Sequence, residues 1–174
     1  QEVESIIKVA QEREALSLLD ASQSLGHVAF SQYKSMADIV VSPGHKWLMG
    51  MHGIAVLYAR EGIHFDPLIQ GGTGSTSESL EMPVEMQDQV EVGTSDFPAA
   101  AALLAGCKWL KEERMESVTA ACKCYAQACY DELCDIQGVR VITPDPASGV
   151  LGPPIISMVC DGYSPVEVAA LFEQ

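Results

Sequence analysis

Basic residues are scarce in this 174-residue sequence: ten Lys and Arg stand against 24 Asp and Glu, for a net charge of −14. Phosphate binding needs cations concentrated on one face. Ten scattered ones make no such face, which argues against a nucleic-acid or anionic-membrane surface. Long apolar runs are missing too, and none approaches the roughly 20 residues that a spanning helix needs. The opening residues Gln1, Glu2 and Glu4 carry neither the basic nor the apolar region of a signal peptide, so the cytoplasm is the expected compartment. No internal repeat is present. The remaining balance, 48% hydrophobic and 20% charged residues, suits an ordinary globular fold of one domain, or one and part of another.

Six cysteines are present, but Cys122, Cys124, Cys129 and Cys134 fall inside one helical stretch, where a secreted scaffold would spread them over loops. On a helix Cys122 and Cys124 point about 200° apart and cannot share a metal. They are read as reduced, small, semi-buried thiols, and no metal site is expected.

Along the chain, Val3, Ile6, Ile7 and Ala10 in residues 3–13 follow the i, i+3, i+4, i+7 spacing of an amphipathic helix. "ALSLLDA" (15–21) predicts a buried parallel strand ending in a carboxylate, Asp20. "ADIVVS" (37–42) repeats the design after a connector long enough for a parallel crossover, and "GIAVLYA" (53–59) predicts a third strand. From Arg60 to Thr94 the text turns to Gly, Ser, Pro and acidic residues, a loop longer than a compact domain tolerates without a task for it. After Pro98 two helices are predicted, the second closed by Gly138. "VRVITP" and "PIISMVC" predict strands flanking a turn, and "SPVEVAALFEQ" predicts a helix with a Ser-Pro start and Glu at its third position. The order describes an α/β layered protein with two subdomains meeting near residue 112. The sequence opens and closes inside patterned segments, as a segment of something larger would.

Ligands of open α/β sheets bind beyond the carboxyl ends of the strands. Two neighbouring runs present Asp20 with Gln23, and Ser42 with His45 and Lys46, at those ends. A buried lysine becomes a nucleophile for carbonyls when desolvation lowers its pKa. A carboxylate beside it can pair with a pyridinium nitrogen, the arrangement of pyridoxal phosphate (PLP) sites. Taken singly, each residue has a plainer reading: Lys46 as a surface lysine in a turn, Asp20 as a strand end, Gln23 as a turn residue, and Gly71, Gly72 and Gly74 as a flexible loop. His27, His52 and His64 read as surface or turn histidines, and Trp47 and Trp109 as packing residues.

Taken in order, "LLDASQSLGHVAF", "ADIVVSPGHKWLMGMHGIAVLYAR", "QGGTGSTSE" and "EVGTSDFPAAAALLAG" resemble the successive signatures of the class V aminotransferase family, most closely its cysteine desulfurase-like branch. The resemblance implies part of the PLP-dependent transferase fold type I. Residues 1–112 would be the C-terminal part of the PLP-binding large domain, with sheet and flanking helices, and 113–174 the start of the smaller α+β domain. It implies that Lys46 forms the Schiff base and shuttles the substrate α-proton, and that Asp20 holds the pyridinium nitrogen. Gln23 would donate to the cofactor's phenolic oxygen, and His45 would sit near its phosphate. Thr94 and the Gly71-Gly72 loop would reach the phosphate of a neighbouring subunit, giving a homodimer with shared sites.

The implied reaction is removal of sulfur from cysteine, giving alanine, with a small amino acid as substrate and a sulfur-acceptor protein as a further partner. Selenocysteine lyase or aminotransferase chemistry on the same scaffold is the alternative, as is a non-catalytic interaction module. Two positions depart from the family pattern. Pro43 stands where the family has a hydroxyl three residues before the lysine, leaving Ser42 as the substitute phosphate ligand, and Gly50-Met51 replaces Gly-Pro. The family's upstream phosphate loop, its downstream carboxylate-binding Arg and its sulfur-accepting cysteine have no counterpart here, and none of the six cysteines matches that nucleophile.

Overall fold

A computed structural model of the chain describes residues 3–28, 36–74, 78–148 and 154–173. Residues 29–30 and 75–77, which belong to two of the quoted motifs, and the terminal Gln174 lie outside the described residues. The chain divides into two compact units, Gln1–Trp109 and Leu110–Gln174. Among the described residues no helix is long and apolar enough to cross a membrane.

In the first unit, α1 (Val3–Gln11) forms where the helical spacing predicts it, but of its apolar stripe only Ile7 is buried and Ile6 is exposed. β1 (Leu18–Asp20), β2 (Ile39–Pro43) and β3 (Ala55–Ala59) follow in one sheet in that order. β1 and β2 are parallel, with Leu18 opposite Ile39 and Asp20 opposite Val41. β3 runs antiparallel to β2, Ile39 facing Ala59 and Pro43 facing Ala55. The buried strand is β2, where Ile39, Val40 and Ser42 are 8%, 1% and 2% exposed. β1 is not the buried strand expected: Leu18 is 63% exposed, because among the described residues only β2 pairs with β1.

A buried polar clamp sets this register. Asp38, just before β2, accepts from the backbone N–H and the hydroxyl of Ser17, both at 2.8 Å. Its other carboxylate oxygen accepts from Arg60 Nε at 2.8 Å, just beyond β3. The Asp38 N–H donates to Ser17 Oγ at 3.0 Å, and the Ile39 N–H to the Ser17 carbonyl at 3.0 Å. Three strands are thus tied at one end of the sheet, and the register carries the tie to Asp20 and Pro43 at the other. The Ser17 hydrogen bonds, aided by Arg60 and opposed by burial, hold the Asp38 carboxyl below the usual carboxylate range.

The long connection after β3 contains a short helix, α2 (Met86–Val90), whose five residues are too few to give a period in the sequence. α3 (Phe97–Glu112) follows, and Gly106 on it faces the turn after β2, where a Cβ would lie 2.2 Å from the Leu48 carbonyl oxygen. Only glycine permits that approach.

In the second unit α4 (Met115–Cys134) ends at Cys134 with Asp135 as its cap. Gly138 was the expected cap, but it stands later, with φ +87°, and turns the chain into β4 (Val139–Val141). β4 pairs antiparallel with β5 (Met158–Cys160), Arg140 facing Val159. α5 (Pro165–Phe172) starts on a complete capping box, the Ser164 hydroxyl accepting from the Glu167 N–H and the Glu167 side chain from the Ser164 N–H. The cysteines are less buried than the composition suggests: Cys122 and Cys160 are half-buried, while Cys107, Cys124, Cys129 and Cys134 are exposed.

Candidate active site

Asp20 closes β1 and folds back on its own turn. The backbone N–H of Ser22 donates to Asp20 Oδ1 at 2.8 Å, and the Ser22 hydroxyl donates to the same oxygen. Such an Asx turn suits a carboxylate at a strand end. The Ser22 hydroxyl and then its N–H hold the Asp20 carboxyl below its usual range; partial burial opposes them and the positive field of Lys46 adds to them. Asp20 is therefore anionic at neutral pH, and its Oδ2 has no hydrogen-bond partner among the described residues.

Lys46 sits in the turn after β2. That turn is built by backbone bonds from Gly44 N–H to Ile54 O and from Gly50 N–H to Gly44 O, both 2.8 Å, and from Met49 N–H to Lys46 O at 3.0 Å. It lifts the lysine off the strand end, and Lys46 is exposed. The burial expected of an amine between two apolar strands is absent, because strand β2 ends three residues earlier and the turn stands out from the sheet. Parallel pairing of β1 and β2 puts the turns that carry Asp20 and Lys46 at the same end of the sheet.

The other predicted residues divide. Gln23 is exposed in the turn after β1, and its Oε1 accepts from Trp47 Nε1 at 3.1 Å. His45 is exposed and lies ring on ring with His52, centroids 4.3 Å apart and tilted by 30°. Ser42 is not open to the crevice: it is 2% exposed, and its hydroxyl lies 3.5 Å from both the Ala21 and Pro43 carbonyl oxygens. A side chain alternating inward on the buried strand cannot also face a ligand beyond it.

Thr94 follows the loop after α2. It lines a cleft of about 530 Å³ walled by the start of β3 and by α2, and none of Asp20, Gln23, Ser42, His45 or Lys46 lines that cleft. The Gly71-Gly72 segment reaches it: the Gly93 N–H donates to the Gly72 carbonyl at 2.8 Å, and a Cβ on Gly71 would lie 2.8 Å from Val92 Cγ1. The glycine segment and the residues just before Thr94 therefore meet at one corner.

Three residues depart, wholly or in part, from their sequence reading. His27 is 8% exposed rather than at the surface, its ring edge-on to Trp47 at 4.2 Å, and burial lowers its pKa. Trp47 does pack, yet it also donates to a predicted site residue. The available signal was its position directly after Lys46. Trp109, expected to pack, is 42% exposed.

A family profile described as Aminotransferase class-V matches residues 1–174. A probable cysteine desulfurase of Pyrococcus abyssi (strain GE5 / Orsay) is 35% identical over 125 residues, 67% of this chain and 30% of that protein. Among solved structures, an apo cysteine desulfurase from Thermococcus onnurineus NA1 aligns with a TM-score of 0.76 at 28% identity, over 99% of this chain and 43% of that one. A C-DES mutant with glycine covalently linked to the PLP cofactor shares the fold at a TM-score of 0.71 and 21% identity, over 99% of this chain and 46% of that one. The chain thus spans less than half the length of these proteins, and its architecture is the matching part of the PLP-dependent transferase fold type I. With its whole length matched by the family profile, the chain belongs to the class V aminotransferase family.

Proposed function

We propose that this chain is the lysine-bearing part of a PLP-dependent enzyme that acts on a small amino acid, with removal of sulfur from cysteine as the reaction. The observation that carries the reading is the parallel pairing of β1 and β2, which puts Asp20, bonded by the Ser22 N–H and hydroxyl, and the turn of Lys46 at the same end of the sheet. Family membership and the cysteine desulfurases among its relatives support it.

The donor set fits the ring end of PLP. Asp20 Oδ2 is open to accept from a pyridinium N–H, the Gln23 amide can donate to a phenolic oxygen, and the Lys46 amine is accessible to a carbonyl carbon. When bound, PLP supplies an electron sink for the substrate α-carbon. Asp20 would hold the ring nitrogen protonated because its own carboxyl resists protonation. Lys46 would carry the cofactor and move the proton at the α-carbon. His45 contributes beside the phosphate, and Ser42 is left with a role in the strand. The corner of Gly72 and Thr94 serves the phosphate of a second copy, so the enzyme is a homodimer with shared sites. Residues 1–112 belong to the PLP-binding large domain and 113–174 to the small one. A sulfur-acceptor protein receives the product sulfur, and the compartment is the cytoplasm.

The full-length protein, loaded with PLP, is expected to show a visible absorption band that Lys46→Ala removes. Borohydride reduction and peptide mapping should place the label on Lys46. A label on another lysine, or no band in the unaltered protein, would overturn the reading. Release of alanine from cysteine identifies the reaction, and release of a keto acid instead would replace it with transamination.

A further inference from the structure

We propose that Trp47 is a positioning residue that sets which end of the Gln23 amide faces the cofactor, an inference that rests on the PLP reading above. The indole N–H is a donor only, whereas a glutamine amide has an acceptor end and a donor end of nearly equal shape. A donor at Trp47 Nε1 therefore selects Oε1 of Gln23, which accepts at 3.1 Å. The NH2 end is turned the other way and makes no hydrogen bond among the described residues. Without the indole, the two ends of this exposed amide would be free to exchange, and the oxygen end cannot donate to a phenolic oxygen.

Trp47 is itself held. The His27 ring meets it edge-on at 4.2 Å and 68°. Gly26, at φ +105°, lets the chain pass so close that a Cβ there would lie 2.5 Å from the Trp47 carbonyl oxygen. The turn that holds Gln23 and the turn that holds Lys46, 23 positions apart in the numbering, are joined through this one indole. Gln23 is exposed and follows β1 on a turn; the Trp47 N–H is its one side-chain anchor among the described residues. The residue directly after the lysine thus orients the donor for the ring oxygen.

Two experiments on the full-length protein test this. The first needs no cofactor: the Trp47 indole N–H resonance, assigned by its loss in Trp47→Phe, is followed by nuclear magnetic resonance. Gln23→Ala should move it toward the position of a solvent-exposed indole and speed its exchange with water, while Gln23→Glu, which keeps an acceptor, should restore protection. An indole resonance unchanged in Gln23→Ala overturns the proposal even if the loaded protein behaves as a PLP enzyme.

The second experiment follows the visible band of the loaded protein against pH. Trp47→Phe keeps an aromatic ring against His27 but removes the donor. It should raise the midpoint by on the order of half a pH unit, the size of one modest hydrogen bond. Gln23→Ala should raise the midpoint at least as far, and the double variant no further than Gln23→Ala alone. An unshifted midpoint in Trp47→Phe, or shifts that add in the double variant, overturns the proposal. A missing band in the unaltered protein fails the PLP reading instead, and the indole measurement then decides the contact by itself.

Discussion

Removing the Asp38 carboxylate should cost about 3 kcal/mol of stability, worked from its hydrogen bonds. Asp38 is 7% exposed and Ser17 is 8% exposed, so the two bonds from Ser17 are charge-assisted and dry, worth roughly 1.5 to 3 kcal/mol each. The Arg60 side chain is 57% exposed, and its share is about 0 to 1 kcal/mol after solvent screening. In Asp38→Ala the Ser17 hydroxyl can turn to another acceptor, but its buried N–H cannot, which brings the sum to about 3 kcal/mol. Urea unfolding of the full-length protein with and without Asp38→Ala measures it. The folded pKa of Asp38 lies below the unfolded value, so its contribution is present above the ordinary aspartate pKa of about 4. It is lost as pH falls through the lower, folded value. The difference between the two proteins should therefore shrink only in acid. A loss below about 1 kcal/mol, or a difference that does not change between pH 6 and pH 2, would refute the clamp as the element that sets the register.

Gly106→Ala forces the α3 backbone away from Leu48 O, and overpacking of this kind costs about 1 to 3 kcal/mol; because Leu48 follows Lys46 by two residues, PLP retention on dialysis should fall together with the melting temperature. A fully stable variant with normal retention would show that the turn accommodates the methyl group. Ser164→Ala removes one half of the capping box on α5 and should speed hydrogen exchange in that first turn while leaving exchange in β1 to β3 unchanged; equal protection with and without the hydroxyl would mean the cap is not holding the turn.

Several elements were legible because they follow from local chemistry. The three strands of the first unit are short apolar runs ended by turn residues, β-branched in β2, and the Ser164 start of α5 is a pattern within four positions. Asp20, Gln23 and Lys46 could be singled out because strand ends and residue types alone mark them. Elements that depend on what lies across from them were not. Ser42 reads as an available hydroxyl until the strand's pleat turns it inward. Leu18 reads as core, yet among the described residues β1 pairs only with β2 and leaves it exposed. The α2 helix is too short to have a period, and Gly138 marks a turn whose place relative to the helix end only the backbone reveals.

Composition and motif order by themselves determined the class of this protein: an acidic α/β chain of the class V aminotransferase family, with a lysine and a carboxylate at neighbouring strand ends. Those properties are carried by residue types at short spacing, which a linear text preserves. Tertiary structure alone decided that Asp38 ties three strands through Ser17 and Arg60, that Gly106 lets a helix close on the lysine turn, and that the indole of Trp47 meets Gln23. Each of these joins residues more than 20 positions apart. Such contacts depend on directions in space, set by strand register and backbone approach, and no local pattern encodes them.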